Sequence, residues 1–186
     1  LREYKVAGND DAAGFVSLCQ QHEKNVSLVS SLRNVGYVVD DQCFVFVEAL
    51  DERVAGNSYP FAIYDKEKGC YAGCTRYGNI SLANKRVEIG WTWYKPSLQR
   101  TGINKATKIL LLNYGFDVLG LNRIELKTSL LNIKSQGAMM KIGAVKEGIL
   151  RRHMIAENGT VRDTVYFSFI KEDWPLTKQS IFSDFE

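Results

Sequence analysis

The chain has 186 residues, the size of about one domain. Hydrophobic residues make up 45% and charged residues 24%, which excludes a disordered chain, a coiled-coil fibre and a disulfide-stapled miniprotein. The 24 Lys and Arg exceed the 21 Asp and Glu by three, too small and scattered an excess to argue for nucleic acid. Only two histidines occur, His22 and His153, which argues against a multi-histidine metal centre.

Residues 11–33 read as one or two helices, with Phe15, Val16, Leu18 and Cys19 as a first apolar stripe and Val26, Val29 and Leu32 as a second. Asp40-Asp41 reads as an N-cap and Gly56-Asn57 as the stop of a further helix. From residue 60 the texture becomes β. Strands are expected at 61–64, 70–80 and 87–94. In the last, Val87, Ile89, Trp91 and Trp93 are expected on one face and Glu88, Gly90, Thr92 and Tyr94 on the other. A helix follows at 103–119, with Ala106, Ile109, Leu110, Asn113 and Phe116 as its stripe and Gly120 as its stop. A strand at 122–129 and a helix at 133–142 ended by Gly143 come next. Strands at 145–155 and 161–170 are joined at Asn158-Gly159, a strong hairpin signal. Residues 175–186 read as a loose tail. The order predicts a single α/β (α+β) domain over 1–186, with a mainly helical part at 1–58 and a sheet core at 60–171.

Cys19, Cys43, Cys70 and Cys74 show no metal-knuckle spacing and read as reduced thiols. Residues 1–11 lack the apolar stretch of a secretory leader, and the longest aliphatic run, at 109–112, is far short of the ~20 residues that span a bilayer. The expectation is a cytoplasmic protein with neither membrane nor nucleic-acid partner.

The informative stretch is Gln99-Arg100-Thr101-Gly102-Ile103-Asn104-Lys105, placed between a strand and a helix. Amides of such a loop and first helical turn point outward without intrahelical partners, and the helix dipole favours an anion there. Gly102 permits close backbone approach, and Lys105 adds a cation. A pyrophosphate suits this cradle. A dinucleotide fingerprint would need G-x-G-x-x-G, and a Walker loop Gly-Lys-Ser/Thr; neither occurs.

Residues 99–104 resemble the Q/R-x-x-G-x-G/A motif of the GNAT superfamily of N-acetyltransferases, with Asn104 at the last position. Glu88-Ile89-Gly90-Trp91-Thr92-Trp93 before the motif, Thr128, Asn132 and Ser135 after it, Ile142-Gly143-Ala144, Glu147-Gly148 and Arg151-Arg152-His153-Met154 are similar to the RimJ/RimL-like branch, which includes ribosomal-protein N-terminal acetyltransferases. The resemblance implies a twisted, mostly antiparallel mixed sheet of six to seven strands. Helices would cover both faces, and a central strand pair would splay to hold acetyl-CoA. It further implies a pyrophosphate on the amides of Arg100, Thr101, Gly102, Ile103, Asn104 and Lys105, with Gln99 in the same motif. Trp93 and Tyr94 would carry the pantetheine arm on their backbone, and Asn132 and Ser135 would contact the arm and sulfur. Glu88 is the candidate general base and Ser135 the candidate acid. Some relatives carry a glutamate where this chain has Met154 or a neighbour, and His153 is a substitute base. The implied reaction moves an acetyl group to a primary amine without a metal, in a monomer or homodimer. A non-catalytic acyl-CoA-binding sensor is the alternative.

Overall fold

A computed structural model of the protein describes residues 26–29 by backbone alone, and 52–53, 55–156 and 158–185 in full. Among the described residues seven strands form one sheet: β1 (Val26–Val29), β2 (Tyr59–Asp65), β3 (Cys70–Ser81), β4 (Arg86–Tyr94), β5 (Arg123–Ser129), β6 (Val145–Ile155) and β7 (Val161–Ile170). Their order across the sheet is β1-β2-β3-β4-β5-β7-β6. All neighbours are antiparallel except the central β4 and β5, which run parallel. A parallel pair needs a crossover, and α1 (Ile103–Asn113) supplies it. The helices α2 (Ile133–Lys141) and α3 (Trp174–Ile181) follow β5 and β7.

The core lies on the α1 side of the sheet. Val87 and Ile89 of β4, Ile124 and Leu126 of β5, and Val165, Phe167 and Phe169 of β7 are buried there with Ile109, Leu111 and Leu112 of α1. Tyr77 of β3 is fully buried, and its hydroxyl donates to the Leu111 carbonyl. The other face is polar between strands, carrying Arg76, Glu88, Glu125 and Lys127. Helical residues 52–53 meet it where Glu52 ion-pairs Arg76 at 2.9 Å.

Several expected elements stand where local chemistry puts them. The β6–β7 hairpin turns at Asn158-Gly159, with Gly159 at φ +78 and the Asn158 side chain accepting from the Thr160 amide. The α1 helix continues into a wider turn, Tyr114–Val118, before Gly120 at φ +62 ends the segment. Two expectations change. Residues 26–29, read as helical, form a strand, because valine suits an extended edge that pairs in register with β2, Val26 opposite Asp65. The loose tail at 175–186 is instead α3 and a further turn, Ser183–Phe185. It is docked by Trp174 and Phe182, both buried, with Trp174 5.6 Å from the Phe116 ring. Residues 52–53 are helical, and Gly56 at φ +76 ends that segment as expected; the remainder of the readings over 1–51 lies outside the described residues.

Candidate active site

The cleft begins where the parallel pair parts. β4 and β5 are hydrogen-bonded only at Arg86 with Arg123, Val87 with Ile124 and Glu88 with Glu125. Beyond Glu88 the strands separate, leaving the β4 edge without a strand partner on that side among the described residues. A bulge lies within this free stretch. The β3–β4 register slips between Cys74 and Arg76, which pair with Trp93 and Gly90, so β4 holds one residue more than β3. Trp91 absorbs the extra residue at φ +51, an uncommon conformation for a bulky side chain.

The bulge overturns the strict alternation expected for β4. One inserted residue moves every later side chain to the other face. Val87 and Ile89 face α1, as expected of one set. After the bulge Thr92 and Tyr94 take that face, Thr92 against Lys108 and Tyr94 against Asn104. Trp91 and Trp93 join the face of Glu88. The Trp91 ring lies flat against Gly78, the partner of Glu88, where a Cβ would come within 2.5 Å of it. Arg76 stacks on the same ring at 3.8 Å.

Glu88 sits at the apex of the cleft, 3% exposed. Its Oε2 pairs with Lys127 Nζ at 2.9 Å and accepts from the Asn79 amide. The carboxylate is thus engaged from β5 and β3 rather than by Arg86. Arg86 binds Glu125 at 3.2 Å, and Arg123 binds both Glu125 and Glu147. The Arg123 hydrogen bond holds the Glu147 carboxyl below the usual range. This network ties the closed end of the strand pair.

The 99–105 cradle follows a short turn, Pro96–Leu98. The Gln99 side chain donates to the Tyr94 carbonyl at 3.1 Å, and Thr101 donates to the Leu98 carbonyl at 2.6 Å. Gly102 caps α1 at φ +87, and a Cβ there would meet nothing within 4 Å. The first bond of the helix runs from the Ala106 amide to the Gly102 carbonyl, so the preceding amides fall before the ladder. Open space beside amides at a helix start fits a phosphate group. Arg100 is exposed at φ +65. Asn104 does not point into the loop: its carbonyl accepts from Tyr94 Oη at 3.1 Å, and burial raises the Tyr94 phenol well above its ordinary value. Lys105 also turns away, pairing with Asp184 at 3.1 Å over the rings of Phe182 and Phe185. The docked C-terminal segment, not the cradle, claims that cation.

Across the cleft, Asn132 caps α2 by accepting from the Ser135 amide at 3.0 Å. The Ser135 hydroxyl is half-exposed and makes no hydrogen bond among the described residues. Lys134 Nζ reaches Gln99 Oε1 at 3.0 Å, joining the α2 start to the cradle. The structure thus places Gln99 and the 100–105 loop beside Asn132 and Ser135, with Glu88, Trp93 and Tyr94 along the strand that leads there. His153 lies apart on exposed β6, edge-on to Tyr166 at 5.7 Å. Arg152 and Asp163 are linked through the Arg152 amide, and Arg162 meets the Met154 sulfur at 3.1 Å. Among the described residues no group of His, Cys, Asp and Glu is arranged to hold a metal, and no helix is long and apolar enough to cross a membrane. Cys70 and Cys74 are free; burial pushes the Cys74 thiol up to about 11, offset in part by Trp93 beside it.

Sequence reading passed over Lys108, 4% exposed on α1, whose Nζ donates to Thr92 Oγ1 at 3.0 Å. It also missed Lys127 and Asn79 as partners of Glu88. The available signal for Lys108 is its place directly before the aliphatic run Ile109 to Leu112, on a helix buried nearly all round.

The chain matches the family model described as acetyltransferase (GNAT) domain over residues 5–145. It is 32% identical over 112 residues to "Putative ribosomal N-acetyltransferase YdaF" of Bacillus subtilis (strain 168), a match spanning 60% of this chain and 58% of that relative. It is 31% identical over 136 residues to "Uncharacterized N-acetyltransferase YoaA" of the same organism, spanning 67% of this chain and 76% of that one. Its fold is similar to the crystal structure of a GCN5-related N-acetyltransferase from Brucella melitensis, with a TM-score of 0.73, 28% identity, and coverage of 87% of this chain and 82% of that one. The ribosomal relative accords with the RimJ/RimL-like branch. The splayed parallel pair, the cradle at the start of α1 and these similarities agree: the chain belongs to the GNAT acetyltransferase family and is an acyltransferase.

Proposed function

We propose that the protein moves an acetyl group from acetyl-CoA to a primary amine, a protein N-terminus or a small-molecule amine, by direct attack in a ternary complex. The observation that carries this reading is the parting of β4 and β5 beyond Glu88, with the 99–105 cradle at the open end. In it the amides of residues 100–105 bind the pyrophosphate, and the free β4 edge at Trp93 and Tyr94 binds the pantetheine arm. Asn132 and Ser135 close the other wall. Acetyl-CoA supplies the thioester when bound. The chain's own groups then position the amine against it, an advantage large in itself. A β4 amide donates to the thioester oxygen as charge develops there. The Ser135 hydroxyl, which makes no hydrogen bond among the described residues, protonates the departing sulfur. Glu88 draws the proton from the attacking ammonium directly or through water. The branch resemblance favours a peptide N-terminus as acceptor, in a cytoplasmic monomer or homodimer that engages neither nucleic acid nor a membrane.

A second reading, a non-catalytic acyl-CoA sensor, is favoured by one observation: the Glu88 carboxylate is already engaged by Lys127 and Asn79. One experiment separates them. CoA binding is measured by calorimetry, and free thiol release from acetyl-CoA is followed with a panel of N-terminal peptides, polyamines and amino acids. Binding with amine-dependent thiol release supports the enzyme. Binding with no release for any amine supports the sensor. No binding refutes both.

A further inference from the structure

We infer that Lys108 is a positioning residue for acetyl transfer, acting through Thr92 and Thr75 on the Gly90–Trp91 peptide at the β4 bulge; the role rests on the acetyltransferase reading above.

The contacts form one chain. Lys108 Nζ lies 3.0 Å from Thr92 Oγ1, Thr92 Oγ1 lies 2.7 Å from Thr75 Oγ1, Thr75 Oγ1 donates to the Gly90 carbonyl at 3.3 Å, and Thr92 Oγ1 also reaches that carbonyl at 3.5 Å. Lys108 and Thr75 are buried and Thr92 between them is half-buried, which strengthens these contacts relative to water. An ammonium only donates. It therefore occupies a lone pair of Thr92 and turns the Thr92 proton toward Thr75 or the Gly90 oxygen, while Thr75 donates to that same oxygen. Gly90 pairs with Arg76 of β3, and Thr75 reaches its carbonyl from the same strand. A trans peptide directs its N–H opposite to its C=O. The Trp91 N–H accordingly points away from β3, to the β4 edge that has no partner beyond Glu88. A thioester in the cleft meets that edge.

The bulge needs holding, because Trp91 stands at φ +51. Arg76 stacked on its ring holds it from the polar face. The Lys108 chain holds the adjoining peptide from the α1 face. Removing either hydroxyl or the amine weakens the hold on the Gly90–Trp91 peptide.

The surroundings of Lys108 give the chain a pH-dependent direction. Tyr94 on β4 and Tyr77 on β3 are phenols that burial keeps protonated. Cys74 is a buried thiol on the far face of β3. On α1 itself Lys105 is turned to Asp184. Among the described residues no carboxylate pairs with Lys108, and burial alone pulls its ammonium down to about 7. On losing its proton the amine gains a lone pair able to accept from Thr92, which draws the Thr92 proton away from Thr75 and the Gly90 oxygen and loosens the hold on that carbonyl.

The test follows Lys108 and Trp91 by nuclear magnetic resonance from about pH 5 to 10, before any ligand is added. The Lys108 side-chain carbon and the Trp91 backbone amide are expected to shift with one midpoint, near about 7. In Thr92→Val, Lys108 still titrates and Trp91 ceases to follow; in Lys108→Met, Trp91 is flat. Calorimetric CoA affinity stays within about twofold in both variants, while kcat falls by about tenfold or more at an unchanged KM for acetyl-CoA. A Trp91 amide indifferent to Lys108 titration overturns the inference, as does Thr92→Val with kcat intact. Absence of CoA binding by the unaltered protein overturns the acetyltransferase reading and the catalytic role together. CoA binding with an uncoupled Trp91 overturns the Lys108 role alone.

Discussion

Replacing Lys108 by Met should stabilise the protein in acid and neutral solution and lose that advantage in alkali. Lys108 is 4% exposed and burial is the sole cause of its lowered pKa, from 10.5 to about 7. In the unfolded chain the amine keeps its proton to about pH 10. Between about 7 and 10 the unfolded state therefore binds more protons, and stability rises with pH. Below about 7 the folded protein buries an ammonium, and the full cost is present. At ~1.4 kcal/mol per pH unit that cost approaches 5 kcal/mol. Met fills a similar volume and gives up the Thr92 hydrogen bond, a loss of about 1 kcal/mol. Thr92 retains Thr75 as a partner. Allowing for relaxation around the charge, the expected gain at pH 6 is about 2–4 kcal/mol, or roughly 5–10 °C in Tm for a chain of this size. Thermal unfolding of both proteins by circular dichroism at pH 6, 8 and 10 measures it. A variant less stable than the parent at pH 6, or a Tm difference flat in pH, refutes the reasoning.

Three further outcomes are expected. Gly102→Trp places an indole in the space beside the amides at the start of α1. CoA binding by calorimetry should vanish, while the left-handed φ costs about 1–2 kcal/mol and leaves the fold intact; undiminished CoA affinity sinks the cradle. Glu88→Gln leaves Lys127 half-buried without its carboxylate and should cost about 1–3 kcal/mol in urea unfolding. If Glu88 is the base, kcat falls and its pH dependence changes; recovery of kcat in the Glu88→Gln, Lys127→Met pair would assign Glu88 a purely structural role. Trp174→Ala opens the contact with Phe116 and Phe182 that docks the C-terminal segment, with an expected loss of about 3–5 kcal/mol. An unchanged urea midpoint would show that segment to be dispensable.

Much was legible from sequence where short-range chemistry decides. Asn158-Gly159 set the turn of the β6–β7 hairpin, because Gly159 accepts the positive φ the turn needs. Gly102, Gly120 and Gly143 marked helix limits at positive φ. The order of strands and helices from residue 59, and the cradle at the start of α1, followed from period and punctuation. The strict alternation expected of β4 failed at Trp91. A bulge depends on how β4 lies against β3, and no local pattern announced that Trp91 would absorb an extra residue and send both tryptophans to the Glu88 face.

The candidate site divides along the same line. Residue types and spacing nominated the cradle at 99–105, and the resemblance to the GNAT superfamily nominated Glu88, Asn132 and Ser135. Only the tertiary structure decided who partners whom. Lys127 arrives beside Glu88 from a strand 39 positions later. Lys105 is claimed by Asp184, because the C-terminal segment packs onto α1. Lys108 becomes a buried amine because the sheet closes over a helix face that its own stripe would leave in water. Composition and period report the preferences of a chain toward solvent and toward its near neighbours. Charge pairing and desolvation depend on distances between residues far apart in sequence, and those exist only once the sheet is assembled.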